Sequence, residues 1–159
     1  MNLSPEQFPI IMGHEPATDT AIAGACDYIS LENAKGVLIT VSWTYVSASD
    51  CVLTVNEATA ITPAGATALT TGAEFPIWQN TDTATSDTMA RLTDAVTATF
   101  ANAGHKNQII AMYVPASVLS AGFNSVALVL TGAGTNISSV TYQLDGARYQ
   151  QTTPPTAIA

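Results

Sequence analysis

Residues 36–46 read GVLITVSWTYV, and the alternation within them decides the fold class. Val37, Ile39, Val41, Trp43 and Tyr45 alternate with Leu38, Thr40, Ser42 and Thr44, which is the period of two of a strand with its large side chains on one face. SASD at 47–50 has turn composition, and CVLTVNEA at 51–58 repeats the alternation with Cys51, Leu53 and Val55. Two such runs across a short turn predict a β-hairpin.

The same rhythm extends outward. QIIAMYVPA at 108–116 places Ile110, Met112 and Val114 on one face. SVALVLTGAGTNISSVTYQL at 125–144 reads as two strands, 126–131 and 137–144, joined by a Gly-rich turn. FPIWQN at 75–80 holds a brief strand, with Pro76 suggesting a sheet edge. ITPAGATALTTGAE at 61–74 reads as a loop with a short edge strand, and SVLSAGF at 117–123 as a short helical turn. MARLTDAVTATF at 89–100 fits two patterns. Met89, Leu92, Val96 and Phe100 fall at helical spacing behind a capping Asp87, whereas Val96, Ala98 and Phe100 alternate with Thr97 and Thr99. The density of β-branched Thr favours a strand in its second half.

Seven or eight short strands with little helix predict an all-β chain, an antiparallel β-sandwich with jelly-roll-like connectivity. Residues 1–27, with Pro5, Pro9, Pro16, Gly13 and Gly24 and no sustained period, read as an extended N-terminal arm. The sandwich domain then covers 28–149, and a C-terminal arm covers 150–159.

The chain has 159 residues and a net charge of −8, with only four Lys and Arg. Lys35, Arg91, Lys106 and Arg148 are scattered, which excludes phosphate-backbone affinity as a main function and disfavours anionic membranes. No apolar run reaches the roughly 18 residues a membrane span needs, and residues 1–16 lack the pattern of a signal peptide, so synthesis in the host cytoplasm is expected. Charged residues are 10% of the chain against about a quarter in soluble domains, and Thr, Ser, Asn and Gln supply the polarity instead. Weakly charged surfaces of this kind suit contact with other protein.

Chemistry has few candidates. His14 and His105 stand alone in loop-like segments, so no metal site and no cofactor is expected. Asp82 and Asp87 lack the spacing of a calcium loop, and NIS at Asn136 fits a glycosylation sequon in a chain with no secretion signal. No nucleophile elbow, phosphate loop or zinc-protease motif occurs, so catalytic residues are not expected and the chain is not read as an enzyme. A hydrolase would need clustered carboxylates that the sequence does not display. Cys26 and Cys51 read as two reduced, buried thiols, with a disulfide as the alternative. Trp43 belongs to the core face of its strand. Trp78, behind Pro76, is the better candidate for an exposed contact with protein or sugar.

The two ends carry a resemblance. DYISLENAKGVLITVSW at 27–43 and VTYQLDGARYQQTTPPTAI at 140–158 resemble a family of head decoration, or cement, proteins of tailed bacteriophages. The first segment matches at Ile29, Ser30, Leu31, Asn33 and Ala34. The second matches at Leu144, Gly146, Ala147, Arg148, Tyr149, Gln151, Pro154, Pro155, Ala157 and Ile158. The resemblance implies a virion protein on the outer surface of the capsid, with the major capsid protein and its own copies, as a homo-oligomer, for partners; a trimer is the expected state. It makes Arg148, Tyr149, Pro154, Pro155 and Ile158 the expected contacts of a docking arm, and Trp78, from its edge position, is a further candidate contact. A forked Arg donor and an extended Pro-Pro segment suit that role. The alternative is a carbohydrate-binding or adhesion β-sandwich module of a virion or tail.

Overall fold

The structure, a computed structural model, describes residues 9–22, 24, 26–62, 65–70, 72–104, 106–132 and 134–146, without the side chain of Thr20. Among the described residues, eleven strands form two antiparallel sheets. The first sheet holds β1 (Ile10–Thr18), β3 (Gly36–Thr44), β6 (Ile77–Asn80), β7 (Ala90–Arg91), β9 (Gln108–Pro115) and β11 (Ile137–Asp145), in the order β1-β11-β3-β9-β6-β7. The second holds β2 (Ile29–Ser30), β10 (Ser125–Gly132), β4 (Cys51–Ala58) and β5 (Thr67–Ala68) in that order, with β8 (Thr97–Phe100) also paired to β4.

Leaving β5, β6 and β7 aside, the first strand pairs with the last, β2 with β10, β3 with β9 and β4 with β8. Each sequential step among these eight changes sheet except that from β4 to β8, which pair side by side in the second sheet. That is one long folded-back hairpin wrapped into two layers, the jelly-roll arrangement. The segment between β4 and β8 adds β6 and β7 to the outer margin of the first sheet and β5 to the second.

The expected 36–58 hairpin does not form. β3 and β4 lie in different sheets, and the 45–50 connection is an arch across the core. Alternation does not distinguish the two cases, because it marks which side chains turn inward and not which neighbour bonds the backbone. Here Val37, Ile39, Val41 and Trp43 turn toward one side of the core while Cys51, Leu53 and Val55 line the other, all at most 1% exposed. Bonding β3 to β4 would have placed both sets in one sheet. The arch instead places them opposite each other, and Trp43 stacks on Phe100 of β8 with ring centroids 5.3 Å apart and planes 3° from parallel.

Two other expectations change. Residues 10–18, expected within an extended arm, form β1 on the edge of the first sheet. Its pairing with β11 slips between Met12 and His14 and again before Ala17, so the burial pattern never alternates cleanly. Gly13 sits at the first slip because the Tyr142 ring occupies its place, and an added Cβ would lie 2.5 Å from that ring. Pro16 is tolerated at this irregular edge for want of a ladder partner. Second, β6 is not the outermost strand, since the two-residue β7 pairs beyond it. The helix option for 89–100 is not taken. Residues 97–100 are a strand, as their Thr spacing indicated, and a 3₁₀ turn occupies Ala116–Val118.

Candidate docking face on the six-stranded sheet

A polar network closes one end of the sandwich. Asp19, fully buried in the short α1 (Asp19–Ile22), accepts hydrogen bonds from Trp43 Nε1 at 3.1 Å and from Ser138 Oγ. Asn136, also fully buried, accepts from the Val46 and Ser47 amides, both at 2.7 Å, and donates through Nδ2 to the Ser49 carbonyl at 3.0 Å. These bonds fix the arch between β3 and β4. They also bury the amide of the NIS sequon, which puts it out of reach of modification in the folded chain. At the opposite end, the Tyr113 hydroxyl donates to Asp145 Oδ2 at 2.8 Å.

Between these ends the first sheet presents a broad outer face, whose rows follow from the register. One row runs Ile10, Gln143, Leu38, Tyr113. The next runs Met12, Thr141, Thr40, Ala111, Trp78, Arg91, and a third runs Ser139, Ser42, Ile109, Asn80. Ile10 is 67% exposed and Met12 53%. Among the outward side chains of β3, β9 and β11 the one charge is Asp145, already bonded to Tyr113. Arg91 on β7 and Glu15, past the slip in β1, complete the charged set of this sheet.

The carboxylates have been moved elsewhere. Asp19 and Glu57 are buried, and Asp27, Glu32, Asp50, Glu74, Asp82, Asp87 and Asp94 lie in connections. In a chain of net charge −8, so uncharged a sheet face is a segregation of charge and not a shortage of it. The outer face of the second sheet is also uncharged, built from Val52, Thr54, Thr97, Thr99, Val129 and Thr131, but it is partly covered, since Ala127 in its midst is 1% exposed.

Of the contact residues expected from the sequence, Trp78 lies on this face, half-buried, with the Arg91 guanidinium 5.1 Å from its ring centroid. Arg91 is held in turn by Asp94 at 2.6 Å. Arg148, Tyr149, Pro154, Pro155 and Ile158 lie outside the described residues, as does His105. Sequence reasoning missed Ile10, Met12, Leu38, Thr40, Ala111 and Tyr113. A signal for most of them was present in the second set of each alternating strand, which carries almost no charge.

The remaining candidates stay apart. His14 Nδ1 lies 2.7 Å from the neighbouring Glu15 carbonyl oxygen. Asp82 pairs with Lys106 at 2.6 Å, and that ammonium holds its carboxyl below the usual range. Among the described residues no three His, Cys, Asp or Glu come together as a metal site, and no helix is long and apolar enough to cross a membrane. Cys26 and Cys51 are free and buried. Burial pushes both thiols up to about 12, with the charges of Asp27 and Asp19 respectively adding to the effect. Comparison with protein-family models, with curated proteins and with solved structures gave no match to this chain.

Proposed function

We propose that this chain is a structural virion protein that binds the outer surface of a bacteriophage capsid and stabilises it, acting as a homo-oligomer and without catalysis. The observation that carries the reading is the segregation of charge. Sheet faces with few carboxylates suit protein contact, because the buried centres of such interfaces are depleted in charge. Acidic connections around them suit a position away from packaged DNA. The resemblance of residues 27–43 and 140–158 to decoration proteins supplies the kind of partner. The jelly roll is compatible with this role but carries little weight, since the fold serves capsid, lectin and enzyme-like domains alike.

On this reading the C-terminal segment is the shell-binding arm. Tyr149 and Ile158 each contribute about 1.5–3 kcal/mol if buried against a neighbour. Gly146 has φ +53°, a turn at the end of β11 that glycine adopts without strain. The carbohydrate alternative gains nothing from Trp78, because Arg91 already lies over its ring.

The test is co-sedimentation of the purified chain with empty shells, compared with a chain lacking residues 150–159. The shortened chain is expected to keep its melting temperature and to lose most of its shell binding. Equal saturation of shells at equal concentration by both chains would contradict the arm, and failure of the full chain to bind shells at all would contradict the function.

A further inference from the structure

We propose that the outer face of the six-stranded sheet is the contact between two copies of this chain, related by a two-fold axis that runs parallel to the strands. The inference rests on the docking reading of this face and names its occupant.

Charge gives the first argument. Two copies of net charge −8 repel each other, and the repulsion is least where carboxylates are fewest, here Asp145, bonded to Tyr113, and Glu15 at the margin. Size gives the second. Strands of eight or nine residues in β1, β3, β9 and β11, together with β6 and β7, span a face of roughly 600–800 Å² at about 4.8 Å between strands and 3.3 Å per residue. A stable pair commonly buries about 800 Å² on each partner.

Shape gives the third. The middle row is small at its centre, with Thr141, Thr40 and Ala111, and large at its ends, with Met12 on β1 and Trp78 and Arg91 beyond β9. Twisted sheets packed face to face touch at the middle and splay at the corners, where bulky side chains fill the gap. An axis parallel to the strands keeps each row level and exchanges its ends. In the middle row the partner's Met12 then lies over Arg91, the partner's Thr141 over Trp78 and the partner's Thr40 over Ala111. Arg91 faces the partner's β1 strand, which carries Glu15. An in-plane axis across the strands would instead set Arg91 near its own copy. The level arrangement also keeps both Gly146 residues at one end of the pair.

The experiment is sedimentation equilibrium of the full chain and of two variants, Met12→Arg, opposite the partner's Arg91, and Ser42→Asp near the centre. Circular dichroism checks that each variant folds, and shell binding is read on the same samples. The expected result is a dimer at micromolar concentration whose dissociation constant rises by roughly 100-fold in either folded variant, since like charges brought together at an interface are strongly opposed. A monomer at about 100 µM, a trimer, or a dimer untouched by both folded variants would overturn the proposal. A monomeric full chain whose shell binding is lost in the variants would also overturn it and assign the face to the shell. A dimer broken by the variants in a chain that never binds shells would leave this inference standing while the function proposed above falls.

Discussion

At the scale of single residues, stability concentrates where polar groups enter the core. Trp43 stacks on Phe100 with one part of its indole and donates to the buried carboxyl of Asp19 with another. Trp43→Phe keeps an aromatic ring but leaves Asp19 one donor short. The expected loss is about 2–4 kcal/mol, or on the order of 5–15 °C in melting temperature for a chain of this size, read by thermal denaturation. A shift under 1 °C would show that the bond is not important for stability.

The thiols make a second prediction at this scale. Cys26 and Cys51 have folded values raised to about 12 from an ordinary 9.0, so the folded state holds its thiol protons more tightly than the unfolded chain. Their contribution to stability is therefore complete below pH 9 and is lost as pH rises toward 12. Tyr113, raised to about 12 by burial and by its bond to Asp145, adds to the same alkaline trend. Denaturant midpoints measured from pH 8 to 11 should fall across the upper part of that range. At pH 8 a thiol reagent should label neither cysteine until denaturant is added, and rapid native labelling would contradict the buried placement.

At the scale of elements, the ladders are unequal. β3 is bonded on both sides along nearly its whole length, by β11 and β9, and β4 is bonded by β10 with β8 and β5 on its other side. β5 and β7 are two residues each, at sheet margins. Amide hydrogen exchange should therefore be slowest in 37–43, 52–56 and 139–143, opening only with global unfolding, and fastest in 67–68 and 90–91. Equal protection throughout would mean that the insertion between β4 and β8 is as firmly bound as the jelly roll.

The strands were legible where residues alternate, as in 36–44, 51–58, 108–115 and 137–145. Their inward faces followed from the same pattern. Partners were not legible, because an arch and a hairpin bury the same side chains, and only the opposition of Trp43 to Phe100 tells them apart. β1 was hidden for a different reason. Gly13, Pro16 and two register slips erase the period, and the strand is recognised only by its pairing with β11. The candidate docking face was half legible. Its inner strands show their lack of charge in the sequence, but the rows that join Met12 to Trp78 exist only once the strand order is known.

At the scale of the whole molecule, the chain is a layered core with buried polar anchors, a charged margin of connections and sheet faces nearly free of charge. A net charge of −8 favours solubility and opposes non-specific association of such a molecule. The non-local pairing of first strand with last also implies folding on the slow side, in milliseconds to seconds, since long loops must close before their contacts form. The reading as a capsid-stabilising protein makes one claim that is independent of every structural detail, which is abundance on the particle. The measurement is the number of copies of this chain relative to the major capsid protein in purified virions, by quantitative mass spectrometry. The account predicts a ratio near one or another large fraction fixed by capsid symmetry. Absence from the virion, or a few copies per particle, would contradict it.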